Sequence, residues 1–338
     1  MKKVLMSVAV GAAVVMAAGA ASAQTLNQVK ARGELQCGSN TGLACFGQPD
    51  AQGNWSGLDV DLCRAISAAI FNDPKKVKFV PLSSKDRFTA LQSGEVDVLV
   101  RNTTWTMSRD TSLGLDFGPV NYYDGQGFMV RKKLKIASAM ELSGASVCSQ
   151  QGTTTELNLA DFFRANKLKY EPVIFATSDE TIKAYDAGRC DVFTTDASGL
   201  YAERLKLTNP DDHIVLPEII SKEPLGPAWR HGDNQWGDVV KWAYYAMLNA
   251  EELGVTQKNV DEMMKSTNPE IKRLLGVEGK FGEAIGLTND WAYRIIKHVG
   301  NYGESFERNV GQGSRLKIAR GVNALWSKGG LQYAPPIR

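Results

Sequence analysis

Histidine is scarce in this chain: His213, His231 and His298 are the only three among 338 residues. None is spaced with a second His, a Cys or a carboxylate in a metal-ligand pattern, so a metal site finds no support and each His reads as a solvated or packing residue. The glycine signatures of common catalysis are missing too. There is no P-loop, no G-x-G-x-x-G and no G-x-S-x-G, which removes the nucleotide, dinucleotide and serine-hydrolase readings. Five cysteines are present, none in C-x-x-C spacing, so neither a zinc knuckle nor a thioredoxin motif is implied. Only one long apolar run exists, at the N-terminus. It starts after Lys2-Lys3, extends from Val4 to about Ala20, and ends in Ala21-Ser22-Ala23. A short apolar run followed by an A-x-A site is a secretory signal peptide over 1–23, cleaved after Ala23, rather than a membrane anchor. No Cys follows the cleavage site, so no lipid anchor is implied. An excess of either charge is absent as well. Without Lys2 and Lys3 the 39 basic residues fall to 37, equal to the 37 acidic ones. A neutral chain is a poor partner for nucleic acid or anionic membrane.

What the sequence does contain is a repeat. Phe88-Thr-Ala-Leu-Gln-Ser-Gly-Glu-Val-Asp-Val-Leu-Val-Arg-Asn102 is echoed by Ile182-Lys-Ala-Tyr-Asp-Ala-Gly-Arg-Cys-Asp-Val-Phe-Thr-Thr-Asp196. Each copy reads as a helix, a Gly stop and a short buried strand ending in a polar residue. Strands at Glu34–Ser39, Val77–Pro81 and Val96–Val100 alternate with helices in the first unit. Strands at Ala145–Cys148, Tyr170–Phe175 and Asp191–Asp196 do so in the second. This alternation predicts α/β units with mostly parallel sheets flanked by helices. The expected organisation is lobe one over 24–128, lobe two over 129–228, a return to lobe one over 229–267 and a C-terminal helical extension over 268–338 packed on lobe one. Gly127–Arg131 and Pro224–Trp229 both read as extended, and are expected to be the hinge strands. Trp291, Ile295, Ile296 and Val299 share one apolar helix face in the extension. Cys148 and Cys190 both fall at predicted strands of the second unit and make the preferred disulfide. Cys37 on the first strand and Cys63 on the first helix are a plausible second pair, leaving Cys45 free, although spacing alone does not fix connectivity.

Polar groups at strand ends are the candidate chemistry, because ligands of open α/β sheets bind at the carboxyl edge. Asn102-Thr-Thr-Trp-Thr-Met-Ser-Arg109 follows a buried strand and ends in a guanidinium, the natural bidentate partner of a carboxylate. The competing role for Arg109 is an ion pair with Asp110 or Asp116. Gln150-Gln-Gly-Thr-Thr-Thr155 is a strand-to-helix turn whose backbone N–H groups suit an anion, or it is simply a capping turn. Asp196 can hold an ammonium or cap the helix after it, and the two roles are compatible. Arg109 and Asp196 together make a clamp for an α-amino acid.

These residues resemble a family. Gly57-Leu-Asp-Val-Asp-Leu62, the Ala-Leu-Gln-Ser-Gly-Glu-Val-Asp run, Thr104-x-Thr-x-x-Arg109, Asp116-Phe117 and Cys148-x-Gln-x-Gly-Thr-Thr-Thr155 are similar to the polar-amino-acid-binding proteins of bacterial ABC importers, extracellular solute-binding protein family 3. Arg-Asn-Thr-Thr-Trp-Thr and the long tail most resemble its general L-amino-acid (AapJ/BztA) type. The resemblance implies a type II two-lobe periplasmic-binding-protein fold with two hinge crossovers. It implies that Arg109, with the N–H groups of Thr104 and Thr154, binds the α-carboxylate, and that Asp196, with the carbonyl of Asn102, binds the ammonium. Asn40 and Ser83 would line lobe one, and Gln150 would lie in lobe two. Asn40 stands where an acid is frequent and Gln150 where a base is frequent, which fits a permissive side-chain pocket. The partners implied are an L-amino acid and an inner-membrane ABC permease. The chain is expected to act in the periplasm as a monomer, with no cofactor, metal or catalytic residue. The rival expectations are an exported enzyme on the same scaffold, such as a dehydratase of aromatic amino-acid precursors, and a ligand-sensing receptor module.

Overall fold

The computed structural model describes residues 25–338; the leader and its cleavage site lie outside the described residues. Two five-stranded sheets organise the chain. The first runs in the order Val77–Leu82, Leu35–Asn40, Val98–Leu99, Ala228–Arg230, Leu115–Phe117. The second runs Tyr170–Phe175, Ala145–Gln150, Val192–Asp196, Gln126–Arg131, His213–Val215. In both, the first three strands are parallel and the fourth is antiparallel to the third. The sequence echo is therefore a topological repeat. Its two helices, Arg87–Ser93 and Ser178–Asp186, each lead into the third strand of a sheet.

Both faces of each sheet are covered, as parallel strands require. Alternation sorts the side chains. Phe128 and Val130 join Val147, Phe163 and Val192 on one face of the second sheet, while Met129 joins Cys148, Tyr185 and Phe193 on the other. In the first sheet Leu99 packs with Leu82, Val96 and Phe117. Val98 turns to a larger core shared with the helices Leu58–Phe71, Asn234–Glu252 and Trp291–His298. All four residues of the predicted tail face are buried there: Trp291, Ile295, Ile296 and Val299. Polar ties reinforce it. The Asp61 carboxylate accepts from Ser305 Oγ, Arg308 and Asn309 Nδ2 at 2.6–3.0 Å.

Disulfides join Cys37 to Cys63 and Cys148 to Cys190, and Cys45 is free. The first ties a central strand to the helix above it. The second ties a central strand to the residues entering its neighbour.

The hinge differs from the sequence expectation. Gly127–Arg131 lies inside Gln126–Arg131, the fourth strand of the second sheet, paired on both edges. The crossing pair is Tyr122–Asp124 with Glu223–Leu225, antiparallel, with Glu223 opposite Asp124. Gly127 to Arg131 is an apolar segment because it is a core strand; the true crossing strands carry Asp and Glu because they border the cleft. Pro224–Trp229 divides between this hinge and the return strand Ala228–Arg230. Among the described residues no helix is long and apolar enough to cross a membrane.

Candidate functional site

The cleft is built where the two sheets present their carboxyl edges to each other. On the lobe-one side, Gly57 starts the helix Leu58–Phe71 with φ +135°, and a Cβ there would stand 2.1 Å from the Phe46 carbonyl oxygen. Only glycine allows that approach. It delivers Asp59 into the interior, where one carboxylate oxygen accepts from Asn102 N at 2.7 Å and the other from Asn121 Nδ2 at 2.9 Å. Burial pushes the Asp59 carboxyl up to about 6, opposed by those two hydrogen bonds and by Arg101. Asn102 itself takes φ +34°, a conformation that Asn tolerates better than most residues. Asn40 Nδ2 donates to its side-chain oxygen at 2.9 Å. The strand-end turn is thus held by Asp59 and Asn40 before any ligand arrives.

On the lobe-two side, Thr153 caps the helix Thr154–Ala165 by accepting from Glu156 N at 3.3 Å. Gly152, at φ +76°, lets the preceding turn approach the backbone of Lys85 across the cleft; a Cβ there would lie 3.3 Å from Lys85 Cα. Two more contacts bridge the lobes, Thr104 Oγ1 to Thr154 Oγ1 at 3.4 Å and Lys206 Nζ to the Gly42 carbonyl at 2.8 Å. The lobes therefore stand nearly closed, around a cavity of about 40 Å³, on a measure by which one water needs roughly 10–15 Å³.

Asn40, Asn102 and Thr104 from lobe one and Gln150, Thr154 and Asp196 from lobe two line this cavity. Two other candidates do not. Ser83 turns to its own helix start, with Oγ 2.5 Å from an Asp86 carboxylate oxygen, and its neighbour Ser84 faces the cavity instead. Arg109 lies behind the wall, donating through Nη1 to the Thr104 carbonyl at 2.8 Å, with its Cζ 5.1 Å from the Phe88 ring centroid. It is 7% exposed and pairs with neither Asp110, which accepts from Trp105 Nε1, nor Asp116, which accepts from Gly232 N. Burial lowers its pKa, against the raising influence of Glu223 and Asp196.

Asp196 occupies the N-cap position of the helix Ala197–Arg204 without a side-chain capping bond. Asp124 does that work, taking Ser198 N at 3.4 Å and the Ser198 hydroxyl. The Asp196 carboxylate is left facing the cavity with no hydrogen-bond donor among the described residues, at 7% exposure. Burial holds its pKa well above the ordinary carboxylate range, and Asp124 and Glu223 push the same way, against Arg87 and Arg109. Asp124 is raised to about 6, first by burial.

Several residues here escaped the sequence reading. Arg87 and Arg101 are buried guanidiniums on the cavity wall, and among the described residues neither they nor Arg109 pairs with a carboxylate. Arg101 immediately precedes Asn102, so its place at a strand end was a readable signal. Glu223 and Asp124 gave none, because the hinge strands were assigned to other segments. The described residues contain no cluster able to hold a metal. His213 bonds Tyr185, His298 bonds Asn72, and His231 lies 3.9 Å from Asp116.

Two α/β lobes of matching sheet order, joined by a double crossover and closing on a polar cavity, define a two-lobe periplasmic-binding-protein fold. The chain belongs to the bacterial extracellular solute-binding proteins, family 3, which it matches over residues 35–274. It is 66% identical to the general L-amino acid-binding periplasmic protein AapJ of Rhizobium johnstonii, over 100% of both chains. It is 60% identical to the glutamate/glutamine/aspartate/asparagine-binding protein BztA of Rhodobacter capsulatus, over 96% of each. A solved periplasmic binding protein from Brucella ovis with glutathione bound shares 65% identity and superposes with a TM-score of 0.92, over 94% of this chain and 100% of that one.

Proposed function

We propose that this chain is the periplasmic solute-binding component of an ABC importer, capturing L-amino acids between its lobes and presenting them to an inner-membrane permease. The observation that carries the reading is Asp196: a buried carboxylate, aimed into the cavity and given no donor among the described residues. Isolated buried charges are costly and are normally paired, so this group suits a cationic ligand atom. Buried guanidiniums, Arg87, Arg101 and Arg109, supply the opposite sign nearby. A zwitterion spans the two. Asn40 and Gln150 present neutral amides to the remaining space, which supports broad side-chain tolerance. AapJ and BztA, named for general and for acidic and amide amino acids, support the same reading.

In this reading Arg109 and the N–H groups of Thr104 and Thr154 hold the α-carboxylate. Asp196 and the Asn102 carbonyl hold the ammonium. Arg109 turns from the Thr104 carbonyl toward the ligand, or orders that carbonyl's peptide for it. The relatives are named as binding proteins rather than enzymes, and no observation favours the dehydratase reading over capture. Calorimetric titration with a panel of L-amino acids should give binding, and Arg109→Ala should abolish it while the circular dichroism spectrum stays native. Unchanged affinity in the variant would remove Arg109 from the site. Turnover of a bound ligand would favour the enzyme, and unimpaired amino-acid uptake in a deletion strain would favour the sensor.

A further inference from the structure

Glu223 carries a set of bonds that the clamp does not explain. It sits on the hinge strand Glu223–Leu225 at 1% exposure. Its Oε2 accepts from Thr104 Oγ1 at 2.6 Å and from Thr154 Oγ1 at 2.9 Å. Its Oε1 accepts from Asn158 Nδ2 at 2.7 Å and from Ser221 Oγ at 2.7 Å. A carboxylate offers about four acceptor sites, and all are used. The donors come from three bodies: Thr104 from lobe one, Thr154 and Asn158 from lobe two, and Ser221 from the hinge segment. Thr104 is also joined to the hinge by a backbone bridge to Leu225.

We infer that Glu223 is a positioning residue that couples the carboxylate end of the ligand site to lobe closure; this rests on the reading of the cleft as an amino-acid site. Its carboxylate fixes the two threonines whose N–H groups would receive the ligand, and it does so only when the lobes are together. Opening carries Thr154 and Asn158 away with lobe two and strips a buried carboxylate of two donors, which is costly for a charged group. Glu223 thereby favours the closed form, and ligand that holds Thr154 in place strengthens the same bonds. Differential contact of this kind is what a closure equilibrium responds to.

The test uses the mature protein and the tightest-binding member of a set comprising L-glutamine, L-glutamate, L-histidine and L-leucine. Glu223→Ala should raise Kd by at least about tenfold, through faster dissociation with association little changed, as expected when a closed state loses population. Small-angle scattering should show a larger radius of gyration for the unliganded variant than for wild type, a change that a merely structural role would not produce. Glu223→Gln should rescue both properties, since its amide can accept from Asn158 and Ser221 and donate to the two threonine hydroxyls, which also accept. Failure of Glu223→Gln to rescue would overturn the tether and assign the effect to charge. Wild-type affinity and wild-type scattering for Glu223→Ala would overturn the inference. Should that variant not fold, Asn158→Ala removes one lobe-two donor from a half-buried position; several-fold weaker binding supports the tether and unchanged binding overturns it. No binding of any of the four ligands by wild type would instead sink the reading of the cleft itself.

Discussion

In lobe one the central strand Leu35–Asn40 lies under a helix that is itself packed by the return helix Asn234–Glu252 and by the tail helices Trp291–His298 and Tyr302–Asn309. In lobe two the equivalent strand Ala145–Gln150 has one layer of helix on each face and, among the described residues, nothing beyond it. The sheet orders match, yet the cores do not: in lobe one a small cluster on one face is joined by a large one running from Leu26 to Ala334, against two small clusters separated by the second sheet. The difference assigns unequal mechanical roles. Lobe one, the hinge strand Tyr122–Asp124 and the tail form one braced body, with Asn323 bonding the Tyr123 backbone. Lobe two is the lighter part.

The largest expected effect breaks this asymmetry at its two cores. Trp291→Ala and Phe163→Ala each empty a buried aromatic site, costing about 3–5 kcal/mol. The consequences should differ. Phe163→Ala should release lobe two as a separate early transition in calorimetry, with lobe-one amides still protected from hydrogen exchange. Trp291→Ala should loosen the braced body and the hinge together. Equal loss of protection in both lobes for either variant would show a single cooperative unit and erase the distinction.

A second comparison concerns the carboxylates. Asp59 belongs to lobe one, Asp196 to lobe two and Asp124 to the hinge. All three are raised above the ordinary value of 3.8, Asp59 and Asp124 to about 6. A carboxyl with a raised folded pKa keeps its proton where the unfolded chain has lost it. The unliganded protein should therefore gain stability as pH falls from 7 toward 4 and lose it as pH rises through about 6, in proportion to the excess protons bound. Ligand affinity should run the other way, because an ammonium needs Asp196 ionised. Binding should release protons, and Kd should rise by up to about tenfold per pH unit per proton once pH is below the raised pKa values. Asp196→Asn should cost about 2–5 kcal/mol of binding, as truncating one side of a buried charge pair does, and flatten this pH dependence. Asp59→Asn should leave the acid dependence of binding in place. Titration calorimetry in buffers of different ionisation enthalpy reads both outcomes.

Much of this was legible because it depends on local rules. The helix–Gly–strand echo located the third strand of each sheet, since Gly94 and Gly188 both take positive φ at the helix ends where the sequence put stops. The cavity residues Asn102 and Asp196 were found because each ends a buried strand. The preferred Cys148–Cys190 pair and the plausible Cys37–Cys63 pair, whose connectivity the spacing left open, are both present. The hinge was misplaced for a physical reason: Gly127–Arg131 and the true crossing strand Tyr122–Asp124 are both short and extended, and only tertiary pairing tells a core strand from a connector. Glu223 and Asp124 were lost with it. Arg87 drew no reading from the sequence, because its burial beside Thr103 exists only in the folded lobe.

The smallest expected effect tests the brace itself. Asn323 is buried at 4% exposure, in the tail. Its Oδ1 accepts from Tyr123 N at 2.7 Å and its Nδ2 donates to the Tyr123 carbonyl at 3.0 Å. Tyr123 faces this way because Tyr122 and Asp124 are the hinge residues opposite Leu225 and Glu223. The side chain thus completes the outer edge of the crossing strand as a third strand would. Asn323→Ala would leave a peptide N–H and C=O without partners, at a cost of about 1–3 kcal/mol if water does not replace them. Water reaches a half-buried edge, so the observed loss should sit at the low end. It should appear first as faster amide exchange at Tyr123 and only weakly in the midpoint of unfolding. A several-fold rise in Kd with an unchanged lobe-two transition would place the tail's contribution in the hinge. A loss confined to lobe-one melting, with Tyr123 exchange unaltered, would make the tail a covering for the core alone and leave both lobes equally free to swing.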